Sequence, residues 1–223
     1  MQPTGNWVDT FGQKRKELIK SGNLIIVAPP LELLSTVADQ IAAYGLSIAV
    51  AAQDLDLRAE SLIHDSNGVK HTGQVNVAAL IADCAEYIIL GHSETRVDKL
   101  LTDSDVNLRL DIARKHNLKP IVCVANITQA ESIARHDSHF SGIIAYEPPG
   151  NIGTGQAAKP KDANNVCRQI LRMYPSASML YGGSVLSTNI AGFLAQDSIN
   201  GVLVGNKSSG VAFFQDIIRA VQF

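Results

Sequence analysis

Residues 141–159, SGIIAYEPPGNIGTGQAAK, are the stretch on which the reading of the whole chain turns. Ile143-Ile144-Ala145 is a short apolar run of the kind a parallel strand buries on both faces. Glu147 follows at the strand's end, and Pro148 after it biases Glu147 toward extended backbone. Pro148-Pro149 stiffens the start of the next loop, because each ring fixes φ. Gly150, Gly153 and Gly155 then supply backbone freedom, and the Gly153 amide is left open to a ligand. An isolated Glu-Pro reads as a surface turn beside a solvated carboxylate. A carboxylate at a strand's C-terminal end, ahead of such a loop, reads instead as a general base under a lid. The flanking sequence selects the second reading.

On both sides of this stretch apolar strands alternate with amphipathic helices. Strands are expected over 24–28, 47–52, 86–91, 119–124, 143–145, 178–181 and 201–204. Helices are expected over 31–43, 76–84, 105–117, 128–135, 161–173, 188–195 and 211–221, with Asp103 and Ser104 as caps of the third. A longer polar loop covers 54–73, and no shift in composition marks a linker. Strands alternating with helical patterns imply parallel β-α-β units. A short, atypical first strand near Thr4 to Val8 brings the count to eight, enough for a closed (β/α)8 barrel of class α/β. The expectation is therefore one barrel domain over residues 1–223. An open doubly wound sheet is the alternative, but the first β-α turn lacks GxGxxG.

Composition narrows the function. The chain has 223 residues, 46% hydrophobic and 18% charged, enough apolar matter for a full core. A formal net charge of −2 argues against a nucleic-acid or membrane-surface partner. No stretch approaches the ~18 apolar residues of a membrane span, and MQPTGNW carries neither the basic flank nor the apolar segment of a signal peptide. Cys84, Cys123 and Cys167 are scattered and form no CxxC pair, which fits buried thiols in a reducing cytoplasm. His64, His71, His116, His136 and His139 lie in polar contexts and read as solvated, so no metal site and no cofactor is expected.

Three features stand at strand ends. His92 ends the strand over 86–91 and opens a short helical segment, where the helix N-terminus disfavours an imidazolium and leaves a neutral ring able to donate a hydrogen bond. Glu147 is the candidate base. Gly182-Gly183-Ser184 and Gly205-Asn206 end the last two strands, each before a helix, and amides there point at an anion. Each alone is weak. In barrel order they describe a base, a neutral electrophile, a lid and a phosphate cradle.

With these residues in place, the chain resembles the triosephosphate isomerase family over nearly its whole length. The matching stretches are VAPP (27–30), AAQ (51–53), TGQV (72–75), EYIILGHSETR (86–96), KPIVCV (119–124), AYEPPGNIGTG (145–155), LYGGSV (180–185) and GVLVG (201–205). The short segment between Val124 and Ser141, and the EPP…IGTG…AKP form of the loop, are similar to the compact archaeal-type branch. The resemblance implies that Glu147 shuttles a proton between C1 and C2 of a triose phosphate. It implies that neutral His92 polarises the carbonyl and moves protons between the oxygens. Asn6, Gly153, Ser184, Gly205 and Asn206 are implied as substrate-binding residues, with the amides of Gly153, Ser184 and Asn206 on the phosphate. Glu94 is implied as a supporting charge, while Gln53 reads as a hydrogen-bonded structural polar. A homodimer is implied, because the polar loop ending at Thr72-Gly73 matches the one the family inserts into a partner subunit.

The N-terminus departs from the pattern. The family carries Asn-x-Lys at the end of its first strand, and here Asn6-Trp7-Val8 puts a valine where the lysine stands. Arg96 is kept from the family's usual basic pair, with Thr95 replacing its neighbour, and Asn206-Lys207 replaces smaller residues. Two expectations follow: an isomerase, active or weakened, or a barrel that binds phosphorylated ligands without efficient turnover.

Overall fold

A computed structural model describes residues 22–56 and 77–205, with 216, 217, 219 and 220. It divides into two compact units, Leu24–Val122 and Cys123–Phe223 with Met1–Asn23. The expected first strand near Thr4 to Val8 and most of the polar loop 54–73 lie outside the described residues.

The first unit holds β1 (Ile25–Val27), β2 (Ile48–Ala52), β3 (Tyr87–Leu90) and most of β4 (Lys119–Val124). Every pairing is parallel and joins strands consecutive in the chain, with Ile25 opposite Ile48, Ala51 opposite Tyr87 and Leu90 opposite Val122. All five residues of β2 are buried, as expected of parallel strands covered on both faces. Helices α1 (Leu34–Ala43), α2 (Val77–Ala82), α3 (Ser93–Asp98) and α4 (Asp103–Lys115) connect them. In α1 the buried residues are Leu34, Val37, Ala38 and Ile41, the i, i+3, i+4, i+7 stripe of a helix facing a core.

The exits of α2 and α4 are alike. Cys84 (φ +65) and Asn117 (φ +59) take left-handed backbone, and the next amide reaches back into the last turn, Ala85 to Leu80 and Leu118 to Ala113. Such a stop turns the chain sharply into the following strand. One expectation is corrected here. Asp103 and Ser104 do not cap α4, and the helix spans 103–115 rather than 105–117. Thr102 is the cap, because its hydroxyl accepts from the Asp105 amide while the Asp105 carboxylate accepts from the Thr102 amide at 2.8 Å. This reciprocal box satisfies two otherwise orphaned donors and outcompetes the caps expected one and two residues later.

The second unit holds the end of β4, then β5 (Ile143–Tyr146), β6 (Ser178–Tyr181) and β7 (Gly201–Val202). These are again parallel and consecutive, with Ile144 opposite Met179 and Tyr181 opposite Val202. The Glu147 amide donates to the Val124 carbonyl at 2.8 Å, which fixes the register of β5 on the end of β4. Helices α5 (Ile127–His136), α6 (Pro160–Met173) and α7 (Ile190–Leu194) follow their strands. Asn126 caps α5 by accepting from the Gln129 amide, and Pro160 opens α6, where a missing amide hydrogen costs nothing. The α5–α6 contact is pinned by Phe140, edge-on to Tyr174, whose hydroxyl donates to the Ala130 carbonyl. Among the described residues, seven parallel strands run in chain order and alternate with helices from β1 to α7, the α/β pattern expected from the sequence. No helix among the described residues is long and apolar enough to cross a membrane.

Candidate active site

In the first unit β3 delivers His92 as the N-cap of α3. Its Nδ1 accepts from the Glu94 amide at 3.4 Å. A backbone N–H only donates, so Nδ1 holds its lone pair and Nε2 carries the ring proton. The Glu94 carboxylate lies 4.0 Å from the same Nδ1, a placement that would favour the charged ring. The amide contact is the closer and the better directed, and Glu94 is 64% exposed, so solvent screens its charge. With Nδ1 as the acceptor of the Glu94 amide, Nε2 is the ring nitrogen left to act as a donor. Gln53 is a structural polar, its Nε2 donating to the Ala28 carbonyl at 2.8 Å and tying the ends of β1 and β2.

The second unit contains Glu147, the loop after it and the turn after β6. Glu147 is only 2% exposed. It sits where β5 ends, against Gly182, where an added Cβ would stand 3.1 Å from its Cγ and 3.5 Å from Oε1. Glycine at 182 therefore leaves room for the carboxylate. Tyr181 beside it is fully buried, stacked on Phe193 at 4.1 Å between centroids, and burial pushes its phenol above the ordinary range.

The loop from Pro148 to Ala158 is tied to this turn at three points. The Ala158 amide donates to the Tyr181 hydroxyl at 2.9 Å, the Gly155 amide to Ser184 Oγ at 3.1 Å, and Ser184 Oγ to the Asn151 carbonyl at 2.6 Å. Within the loop, Asn151 Nδ2 donates to the Gln156 carbonyl at 2.8 Å, and the Thr154 hydroxyl bonds the same residue. These internal bonds make residues 151–156 one closed piece, joined to the β6 turn and to the chain before and after it. Gly153, at the exposed tip, has φ +67, and nothing lies within 4 Å of the space its Cβ would occupy. Ser184 itself has φ +49, and Asn189 holds that turn, donating to the Ser184 carbonyl and accepting from the Leu186 amide.

Of the residues expected from the sequence, Glu147, Gly153 and Ser184 belong to this one unit and to one loop–turn cluster. His92 belongs to the other unit. Gly205 lies exposed just past β7, and Asn6, Asn206, Val8 and Lys207 lie outside the described residues. Among the described residues no group of His, Cys, Asp and Glu could hold a metal ion. The sequence reading missed two residues. Tyr181 was read only as the end of a strand, although a buried tyrosine beside Gly-Gly signals a hydroxyl needing a partner. Asn151 was passed over inside a glycine-rich loop, where an amide side chain is the natural internal brace.

A triosephosphate isomerase family profile matches residues 2–221. The chain is 36% identical over 221 residues to a protein named triosephosphate isomerase from Leifsonia xyli subsp. xyli, covering 87% of this chain and 82% of that one. It is similar to proteins of the same name from Synechococcus sp., at 36% identity over 87% and 80% of the two chains, and from Gloeobacter violaceus, at 33% over 87% and 83%. The fold, the order of the strand-end residues and these relatives agree: the chain belongs to the triosephosphate isomerase family, whose fold is the (β/α)8 barrel.

Proposed function

We propose that this protein is a triosephosphate isomerase, interconverting dihydroxyacetone phosphate and glyceraldehyde 3-phosphate through an enediolate. The Glu147 carboxylate takes a proton from C1 of dihydroxyacetone phosphate. The electron pair left behind becomes the C1–C2 double bond as the carbonyl oxygen gains negative charge. Neutral His92 donates from Nε2 to that oxygen and moves a proton between O1 and O2. Glu147 then returns its proton to C2. Asn6, Gly153, Ser184, Gly205 and Asn206 bind the substrate, with the amides of Gly153, Ser184 and Asn206 on the phosphate. No cofactor takes part. A single barrel domain over residues 1–223, supported by the strand–helix alternation, a cytoplasmic location, supported by the scattered cysteines, and a homodimer, supported by the family resemblance, complete the proposal.

The observation that supports this reading most is Glu147, 2% exposed, at the start of a loop tied down on the neighbouring turn. A base shielded in this way abstracts a carbon-bound proton without competition from water, and a closed loop limits loss of phosphate from the intermediate. Val8, in place of the family's lysine, favours a second reading: a phosphate-ligand-binding barrel with feeble turnover. A coupled turnover assay on glyceraldehyde 3-phosphate decides between them. Saturable isomerisation supports the enzyme, and phosphate-analogue binding without turnover supports the second reading.

A further inference from the structure

Arg96 is the one basic residue that the EYIILGHSETR stretch keeps, and the reaction above leaves it without a task. Its surroundings lie wholly within the unit Leu24–Val122. Arg96 Nε donates to the Gly91 carbonyl at 2.8 Å, and Nη1 donates to Asp103 Oδ1 at 2.8 Å. The Arg96 side chain is only 11% exposed. Gly91 has φ +67, and a Cβ there would lie 2.8 Å from Val106 Cγ2 and 3.2 Å from both Nε and Nη2 of Arg96. The Gly91 backbone is thus packed between the guanidinium and Val106, and its carbonyl belongs to the peptide that carries His92.

Asp103 and Val106 both come from α4, whose start is fixed by the box between Thr102 and Asp105. A continuous path therefore runs from that cap, through Asp103 and Arg96, to the Gly91 carbonyl and the His92 backbone. Only a planar fork reaches both acceptors with directed bonds, whereas an ammonium offers a single point charge.

We propose that Arg96, anchored by Asp103, is a positioning residue that sets the backbone from which His92 presents its ring. The proposal rests on the isomerase reading of His92. Its task is separate from charge on the substrate: it holds the His92 backbone so that Nδ1 meets the Glu94 amide.

The test compares wild type, Arg96→Lys and Asp103→Asn by steady-state kinetics, by thermal melting and by nitrogen-15 spectra of the His92 ring. The expected result for Arg96→Lys is a fall in kcat of about ten- to a hundredfold with KM within about twofold, as a slightly misplaced catalytic group gives. The ring signals should move away from those of a single Nε2–H tautomer. Asp103→Asn, which keeps the guanidinium but loosens its anchor, should give a smaller change in the same direction, and it decides the matter if Arg96→Lys does not fold. A lowered melting temperature with kcat and ring spectrum unchanged makes Arg96 a structural tie alone and overturns the proposal. Were the wild type inactive on triose phosphates, the isomerase reading would fall, while the ring spectra would still show whether Arg96 sets His92.

Discussion

The Ala158 amide donates a 2.9 Å hydrogen bond to the hydroxyl of Tyr181, 23 residues further along the chain. One end of the loop that follows Glu147 is thereby fastened to the turn after β6. Tyr181→Phe removes the acceptor and leaves the ring on Phe193, so the fold should survive. One net hydrogen bond is worth about 1 kcal/mol, so kcat/KM should drop at least about fivefold. Loss of phosphate from the intermediate should rise, because a looser loop admits water. Steady-state kinetics together with an assay for released phosphate check both parts.

Gly182→Ala tests the close approach between that turn and Glu147. The new methyl would stand 3.1 Å from Glu147 Cγ, so the carboxylate has to shift. Because Gly182 lacks the positive φ that strains other residues, the cost falls on the site and not on the backbone. Turnover should fall by about a hundredfold, with a melting temperature within a few degrees of wild type. A crystal structure of the variant should show the carboxylate displaced.

The three cysteines should separate by reactivity. Cys84 is exposed at the end of α2, whereas Cys123 and Cys167 are buried in the second unit. Burial pushes the Cys167 thiol up to about 12. At pH 8 a thiol reagent should label Cys84 in the native protein and the other two only after unfolding. The same burial predicts a pH dependence. In the unfolded chain Cys167 ionises near its ordinary value of 9.0, while the folded thiol keeps its proton to about 12. The folded state then binds more protons than the unfolded one, so this stability is complete below pH 9 and is lost as pH rises toward 12. Stability from denaturant melts should hold nearly level from pH 8 to about 9 and fall from there to pH 11, more gently in Cys167→Ala.

The family resemblance sets Val8 where the family carries a lysine, and this gives a gain-of-function prediction. One preorganised charge beside a developing oxyanion contributes on the order of 3 kcal/mol. Val8→Lys should therefore raise kcat/KM by roughly a hundredfold, and Lys207→Ala should lower it if that lysine supplies part of the charge. Comparison of kcat/KM for wild type and both variants checks this.

Much of this was legible in the sequence because periodicity and strand-end punctuation are local signals. The apolar runs around Val50, Ile89 and Ile144 announced parallel strands, and their helices followed within a residue or two at most ends. Helix starts were less legible: Thr102 and Asp105 cap reciprocally, and Asp103 and Ser104 between them looked like equally good caps. The strand-end place of Glu147 and the Pro/Gly loop after it could be read from the sequence. The partners that hold the lid could not, because Tyr181 and Ser184 reach it from 23 and 29 residues away and leave no periodic trace. Arg96 was visible only as a retained charge, since the acceptor that ties it to the His92 peptide is a backbone carbonyl and carbonyls carry no sequence signature.

The central claim is that Glu147 is the base, and Glu147→Asp tests it most directly. The change keeps the charge and withdraws the carboxylate by one methylene from the carbon-bound proton. The measurement is kcat and KM on glyceraldehyde 3-phosphate for wild type and variant, with matched melting curves. With Glu147 as the base, kcat falls by about a hundredfold or more while KM changes only a few-fold. A folded variant that turns over at the wild-type rate would contradict it.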